Sequence, residues 1–294
     1  MIIRNAILVS LMSALSFSAF AEKDSVSPEP VRISLAYPPK ADDKTSLKEP
    51  PPYKLNLLVD AAIVIPATIW SIYAFPKIYS KPNIDSLTVA TLNKDDIPKF
   101  DRWAVRSSDE ASAHSDILFY ASMPYPFVLL LDKAIRKDAA TVGALYWEAM
   151  AVTGVLYTGC DYFIDRYRPE TYDQSKDFGE RQSGNEKNSF FAGHVALVST
   201  STFFTASIYD EYHPNSKFKW VLYGVAAAAT GTTAYLRHRA GKHFPSDIIV
   251  GTIVGVGSGM LVPRLHRNKA GKKHPLSIMP SVGDGYGLAA TYRF

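Results

Sequence analysis

The sequence predicts an all-α fold, a six-helix bundle embedded in a membrane and followed by a C-terminal β-hairpin. Six apolar runs, each close to the roughly 20 residues that span a bilayer, lie at 55–75, 113–132, 139–160, 190–208, 217–236 and 247–263. Small residues such as Gly251 and Gly255 allow close helix approach, and polar residues such as Asp60 and Glu148 indicate faces packed against neighbouring helices. A soluble helical bundle is the alternative, because buried helices show the same pattern.

The segments that flank the bundle differ from it in composition. Residues 1–21 combine Arg4, an apolar stretch and Ala19-Phe20-Ala21, which predicts a secretory signal peptide, with a retained N-terminal anchor as the alternative. Residues 22–54 form a polar, Pro-rich linker. The helical domain is expected at 55–265, and the tail at 266–294 contains the hairpin, whose alternating strands flank Gly283-Asp284-Gly285 and which we expect to dock on the bundle.

Composition excludes several classes of function. The net charge of +4 is spread along the chain without a concentrated basic face, so nothing indicates a nucleic-acid partner. Cys160 is the single cysteine, which excludes an intrachain disulfide and a thiolate metal cluster. The mean hydropathy of −0.04 is low for a membrane protein, but the apolar residues are segregated into the six runs.

The most informative segment joins two apolar runs and contains Arg237, His243 and Asp247. We expect Ser246 to be the N-cap of the following helix and Asp247 to lie in its first turn. Asp247 is then close enough to accept the ring N–H of His243, an arrangement that activates a nucleophile. Arg237 adds a planar cation suited to phosphate oxygens. This segment therefore predicts phosphoryl transfer through histidine.

Two upstream segments supply further groups for the same chemistry. Arg168-Pro169 closes one helical run, and Gly193-His194 opens the next. Gly193 permits close approach of the main chain to an anion beside a helix N-terminus. His194 is a second titratable imidazole, suited to protonating a leaving oxygen. Because each segment adjoins an apolar helix, we expect the three to converge at one face of the bundle.

In order and spacing, these segments resemble the type 2 phosphatidic acid phosphatase superfamily, which includes the vanadium haloperoxidases. The family pattern runs lysine, six residues, Arg-Pro; then Pro-Ser-Gly-His; then Ser-Arg, five residues, His, three residues, Asp. The chain matches it at Arg168-Pro169, at Gly193-His194, and at Arg237, His243 and Asp247.

The resemblance implies a role for each matched residue. His243 attacks phosphorus and carries the phosphoryl group, oriented by Asp247. His194 protonates the leaving group and later activates water. The equatorial oxygens are held by donors from Arg168, Arg237 and Gly193. The family's phosphatases require no metal and no cofactor. The implied activity is a phosphoric ester or diphosphate hydrolase acting on a lipid or isoprenoid phosphate.

Four positions depart from the family pattern. Asp161 stands at the lysine, Phe191 and Ala192 at the proline and serine of the second segment, and Leu236 at the serine before Arg237. Cations that are candidates to neutralise Asp161 are Arg166, Lys187, Arg239 and Lys242. These departures keep open a weakly active or non-catalytic envelope protein that binds phosphorylated lipids. A periplasmic acid phosphatase for small substrates is a further alternative.

The signal and the apolar runs together predict an exported protein of a bacterial cell envelope. The inner membrane with periplasmic exposure is the expected location, and a periplasmic or outer-membrane-associated position is the alternative. The distribution of Lys and Arg among the loops favours neither side of the membrane for the site.

Overall fold

The computed structural model describes residues 51–268, 276–282 and 286–292. The predicted signal peptide at 1–21 and nearly all of the 22–54 linker lie outside the described residues. Within the described ranges the α-helices are α1 Leu57–Tyr79, α2 Ser86–Thr91, α3 Lys99–Arg102, α4 Asp109–Ser122, α5 Lys133–Arg136, α6 Ala139–Phe163, α7 Phe178–Arg181, α8 Gly193–Tyr212, α9 Phe218–Arg239 and α10 Pro245–Leu265. Short 3-10 turns occupy Lys94–Asp96, Tyr125–Leu131, Pro169–Tyr172 and Gly184–Lys187. The predominantly helical fold is confirmed.

Two strands, β1 Leu276–Val282 and β2 Tyr286–Tyr292, lie near the C-terminus. They pair antiparallel, with Leu276 opposite Tyr292. Residues 283–285, which would form the turn, lie outside the described residues. The complete hairpin and its docking on the bundle therefore stay predictions.

One of the predicted apolar runs is not a single helix. Residues 113–132 divide into the end of α4 and a 3-10 turn. Pro124 and Pro126 lie at the division, and proline can neither donate a main-chain hydrogen bond nor fit the interior of an α-helix without a clash. The expectation of one helix over this run is therefore wrong.

Within the part of the chain that the structure describes, three helices, α1, α6 and α10, are long and apolar enough to cross a membrane. That is fewer than the six runs suggested by the sequence. In α8 a run of hydroxyl side chains, including Ser199 and Thr200, forms hydrogen bonds inside the bundle. In contrast, α1 leaves Leu58 85% and Ile72 70% exposed, as expected for a surface that faces lipid.

Helices α8 and α10 pack closely and run in the same direction. A Cβ added to Gly251 would lie 2.6 Å from the carbonyl oxygen of Ala192, and one added to Gly255 would lie 2.2 Å from that of Ala196. Any side chain at these glycines would push the helices apart. Because the contacts advance together along both helices, the N-terminal ends of α8 and α10 lie side by side. This places the segment that contains Gly193 and His194 next to the segment that contains His243 and Asp247.

Candidate active site

The loop that carries His243 is shaped by Gly241. Its φ of +68° lies in the left-handed region, and a Cβ there would lie 1.7 Å from the carbonyl oxygen of Arg106. Glycine is therefore required at the end of α9. The chain then turns directly into Lys242, His243 and α10.

Helix α10 begins two residues earlier than predicted. Phe244 is the N-cap and Pro245 the first helical residue, a position where its fixed φ fits the helix. The expectation of Ser246 as the N-cap is wrong; its Oγ donates to Asp101 at 2.7 Å instead. Asp247 is the third helical residue, and its Oδ2 accepts the main-chain N–H of Phe244 at 2.9 Å.

The His243 ring is held by the main chain. Its Nδ1–H donates to the carbonyl oxygen of Ser189 at 2.8 Å, so the predicted hydrogen bond to Asp247 is wrong. Asp247 instead accepts a hydrogen bond from the Ser189 hydroxyl at 2.7 Å. Its connection to the His243 ring is therefore indirect and passes through Ser189. The tautomer with Nδ1 protonated leaves the lone pair on Nε2. Burial and the charges of Arg237 and Arg168 hold the pKa of His243 well below its ordinary value of 6.5, which keeps this lone pair free.

Arg166 holds Asp247 and the start of α10 in place. Its guanidinium pairs with Asp247 and donates to Asp101 at 2.8 Å, and it lies 4.6 Å from the centre of the Phe244 ring. The sequence offered Arg166 only as a possible partner of Asp161. In the structure it fixes the first turn of α10 instead.

All but one of the predicted site residues line the same cavity, which has a volume of about 410 Å³. Its walls include His243, His194, Arg168, Arg237 and Gly193, and Asp247 is the predicted residue that lies outside the lining. Further lining residues are Phe75, Tyr79, Ser112, Asp116, Phe119, Tyr120, Tyr157, Leu197 and Lys242. The three sequence segments therefore meet around one space.

Three cations give the cavity its affinity for an anion. Arg168 is 8% exposed and its Nε donates to the carbonyl oxygen of Asn188 at 3.3 Å. Arg237 is 4% exposed, and its Nε has no hydrogen-bond partner among the described residues. Lys242 donates to Glu170 at 2.6 Å. Buried donors with unused capacity are suited to the oxygens of a phosphate.

His194 forms a pair with a residue that the sequence did not indicate. Its Nε2 lies 3.0 Å from Oδ1 of Asp116 on α4. Burial, followed by the charge of Arg237, lowers the pKa of His194 to about 4, against the opposing effect of Asp116. The hydrogen bond with His194 holds the pKa of Asp116 below its ordinary value of 3.8. A bound phosphate brings negative charge to this imidazole and so favours its protonated form.

Gly193 is required by close packing. A Cβ at this position would lie 2.5 Å from the ring of Tyr157, whose hydroxyl is 3.1 Å from that of Tyr79. Because α8 begins at Gly193, its first main-chain N–H groups have no partner within the helix. They lie at the cavity, at the positive end of the helix dipole.

The departures from the family pattern lie away from the cavity surface. Asp161 is fully buried, is absent from the cavity lining, and has no hydrogen-bond partner for either carboxylate oxygen among the described residues. The Lys81 ammonium group donates to the main-chain carbonyl oxygen of Asp161 at 2.5 Å. Ala192 is buried against α10. Lys242 supplies a lysine to the cavity from the third segment.

Together the fold and the cavity define a helical protein with membrane-spanning segments and an anion site that contains two imidazoles. Residues 142–270 match the model of the PAP2 superfamily. The sequence is 24% identical over 147 residues to a lipid A 4'-phosphatase of Porphyromonas gingivalis, covering 49% of this chain and 59% of that protein. The chain thus matches less than two thirds of that relative's length.

A solved structure is also similar in part. It is a transmembrane PAP2-type phosphatidylglycerolphosphate phosphatase from Bacillus subtilis, with a TM-score of 0.41 and 14% sequence identity. The similarity covers 69% of this chain and 95% of that one.

Proposed function

We propose that this chain is a phosphatase that hydrolyses a lipid or isoprenoid phosphate through a phosphohistidine intermediate, without a metal ion. The observation that carries the proposal is the convergence of His243, His194 and the cations Arg168 and Arg237 on one cavity. The match of residues 142–270 to the PAP2 superfamily model and the name of the Porphyromonas gingivalis relative support a phosphate ester on a lipid.

In the first step, the Nε2 lone pair of His243 attacks phosphorus and the bond from phosphorus to the substrate oxygen breaks. Protonated His194 gives its proton to the leaving oxygen, so an alcohol departs. Negative charge on the three equatorial oxygens is stabilised by Arg168, Arg237 and Lys242 and by the N–H groups at the start of α8.

In the second step, neutral His194 takes a proton from water and the oxygen of that water attacks phosphorus. The bond between phosphorus and Nε2 breaks, and its electron pair returns to His243. Inorganic phosphate leaves, and both imidazoles are ready for a further cycle.

Apolar side chains beside the cations indicate the substrate class. Phe75 at the end of α1 and Phe119 and Tyr120 on α4 line the same cavity as the arginines. Phe75 is 49% and Tyr120 70% exposed, so this wall continues onto the outer surface. A phosphate head group fits among the cations while an acyl or prenyl chain lies along these rings and α1.

The test uses purified full-length protein in detergent with a chelator present. Phosphate release is measured from phosphatidate, phosphatidylglycerophosphate, undecaprenyl diphosphate and p-nitrophenyl phosphate. We expect release from at least one lipid substrate, and none after His243→Ala. His213→Ala is the matched control, because His213 pairs with Asp132 away from the cavity. Turnover that requires added metal, or full activity in His243→Ala, would contradict the proposal.

A weakly active or non-catalytic protein that binds phosphorylated lipids is the second candidate. It is favoured by the carboxylate of Asp161, which is buried at the position of the family lysine and has no hydrogen-bond partner among the described residues. Asp161→Lys separates the two: a large gain in phosphate release supports a degraded site, and a loss supports an active site in which Asp161 has a role.

We place the protein in a bacterial cell envelope, at the inner membrane and with the site exposed to the periplasm. The apolar surface of α1 supports a membrane position. Fractionation of the envelope tests it: recovery in the inner membrane supports the placement, and recovery in the soluble periplasmic fraction contradicts it.

A further inference from the structure

A second cluster of titratable groups lies far from the phosphatase cavity. Asp60 is in the first turn of α1, nineteen residues before Tyr79, which lines the cavity at the other end of that helix. At about 1.5 Å per residue, this is roughly 28 Å of helix. His266 lies just beyond the C-terminus of α10, whose N-terminus carries the active-site loop.

One ring nitrogen of His266 faces two carboxylates. Nε2 is 3.0 Å from Oδ1 of Asp60 and 3.4 Å from Oε2 of Glu148. The other nitrogen, Nδ1, donates its proton to the carbonyl oxygen of Val262 at 2.8 Å. A main-chain acceptor on the second nitrogen is the arrangement that orients a metal-binding histidine.

Glu148 is 5% exposed, and within the described residues its carboxylate has one polar contact, with the His266 nitrogen that Asp60 also contacts. Asp60 accepts a second hydrogen bond, from the main-chain N–H of Asn56 at 2.9 Å. Within those residues, neither Asp60 nor Glu148 has a Lys or Arg within ion-pair distance. Glu148 therefore has no donor that it does not share with Asp60.

We propose that Asp60, Glu148 and His266 bind a divalent transition-metal ion of the zinc class. The ligand atoms all lie within 4.8 Å of one another. Ligands at about 2.0–2.2 Å around tetrahedral zinc stand roughly 3.4 Å apart, close to the two distances from Nε2. An imidazole nitrogen with two carboxylate oxygens suits zinc better than calcium, which prefers oxygen ligands alone.

The number of candidate ligands separates this cluster from the other His–Asp pair. A dication, a neutral imidazole and two carboxylates together carry no net charge. The His213–Asp132 pair, also 3.0 Å apart, has one carboxylate. The third ligand is what distinguishes the cluster at His266.

The ion joins three parts of the fold. It connects the start of α1, the middle of α6 and the end of α10, and it holds α1 onto the bundle. Asp60 and Glu148 also line an apolar cavity of about 230 Å³ with Leu55, Val64 and Trp147, which provides space for water in the fourth coordination position. We therefore assign the ion a structural role, separate from phosphate release.

The first test measures binding of zinc itself to full-length protein in detergent, freed of metal with a chelator. Isothermal titration with Zn²⁺ should show one saturable site. Glu148→Gln and His266→Gln should each weaken it at least about tenfold, and His213→Gln should leave it unchanged. Ca²⁺ should not bind at the same concentration. Equal zinc affinity in the wild type and both variants would overturn the proposal.

The second test measures thermal stability, and its deciding measurement is made on the wild type. Zn²⁺ should raise the Tm of the wild type and of His213→Gln, because an ion that binds only the folded state stabilises it. Glu148→Gln should lose this rise. No change in the wild-type Tm at saturating Zn²⁺ would also overturn the proposal.

Discussion

The imidazole of His243 and the main-chain carbonyl of Ser189 form a hydrogen bond of 2.8 Å that fixes which ring nitrogen carries the proton. The Ser189 side chain is fixed in turn by Asp247 at 2.7 Å. The aspartate is thus connected to the His243 imidazole through an intervening serine. These contacts leave the lone pair on Nε2. Its direction is set by three parts of the fold together: the segment before α8, the loop after α9 and the first turn of α10.

Ser189→Ala tests this relay. The carbonyl oxygen stays, but without its hydroxyl anchor the segment holds the ring less firmly. We expect kcat for a lipid phosphate to fall roughly tenfold, which corresponds to about 1.4 kcal/mol, with KM little changed. Thr252→Ala is the matched control, since it removes a hydroxyl bound within α10 itself. An unchanged kcat in Ser189→Ala would show that Asp247 does not act through Ser189.

The pH dependence follows from the depressed pKa of His243. Because burial and the charges of Arg237 and Arg168 lower this pKa, the His243 imidazole becomes protonated only at a pH below 6.5. The acid limb of kcat/KM should therefore lie below pH 6.5 in a pH–rate profile. Arg237→Gln removes one of these cations and should move that limb to higher pH. A limb at or above 6.5 in the wild type would contradict the assignment.

The same shifts predict how stability depends on pH. The folded pKa of His194 is about 4, and that of His243 is also lowered, so both rings stay neutral in the folded protein while the unfolded chain takes up protons below about pH 6.5. The two histidines therefore contribute stability above pH 6.5 that is lost as the pH decreases from 6.5 towards 4. Thermal scans of the wild type and of His194→Gln isolate this contribution: the Tm of the wild type relative to that of the variant should fall over that interval, and a relative Tm that rises would contradict the prediction.

Asp116→Asn tests His194 as the proton donor. Asp116 opposes the effects that lower the pKa of His194, so its loss makes the protonated ring harder to form. We expect a large loss of kcat on an alkyl phosphate and a much smaller loss on p-nitrophenyl phosphate, because nitrophenolate leaves without protonation. Asp132→Asn, in the distant pair with His213, serves as the control. Equal losses on both substrates would argue against this role.

Lys242→Met tests whether this lysine binds phosphate in place of the missing family lysine. A charge-assisted hydrogen bond of about 1.5–3 kcal/mol corresponds to a drop in kcat/KM of roughly 10- to 150-fold. Lys176→Met is matched, because Lys176 also binds Glu170 at 2.6 Å but does not line the cavity. If both variants lose activity equally, the effect comes from Glu170 and not from phosphate binding.

Sequence patterns predicted the groups on contiguous segments and missed those that depend on the tertiary fold. His243, Arg237 and Gly193 have a characteristic spacing beside helix ends, so their placement was expected. The Ser189 carbonyl was missed because a main-chain atom has no signature in the sequence. Asp116 is a lone acid on α4, and nothing near it indicates an active site. Pro124 gave a local reason to expect the break after α4, but the apolar run obscured it.

The most direct test of a phosphohistidine at His243 is rapid quenching of the reaction with phosphatidate that carries a radioactive phosphate. Peptides from the quenched enzyme are then mapped for an acid-labile, base-stable label. We predict the label on the peptide that contains His243 and its absence in His243→Ala. A label on another residue, or steady phosphate release by His243→Ala, would contradict the mechanism.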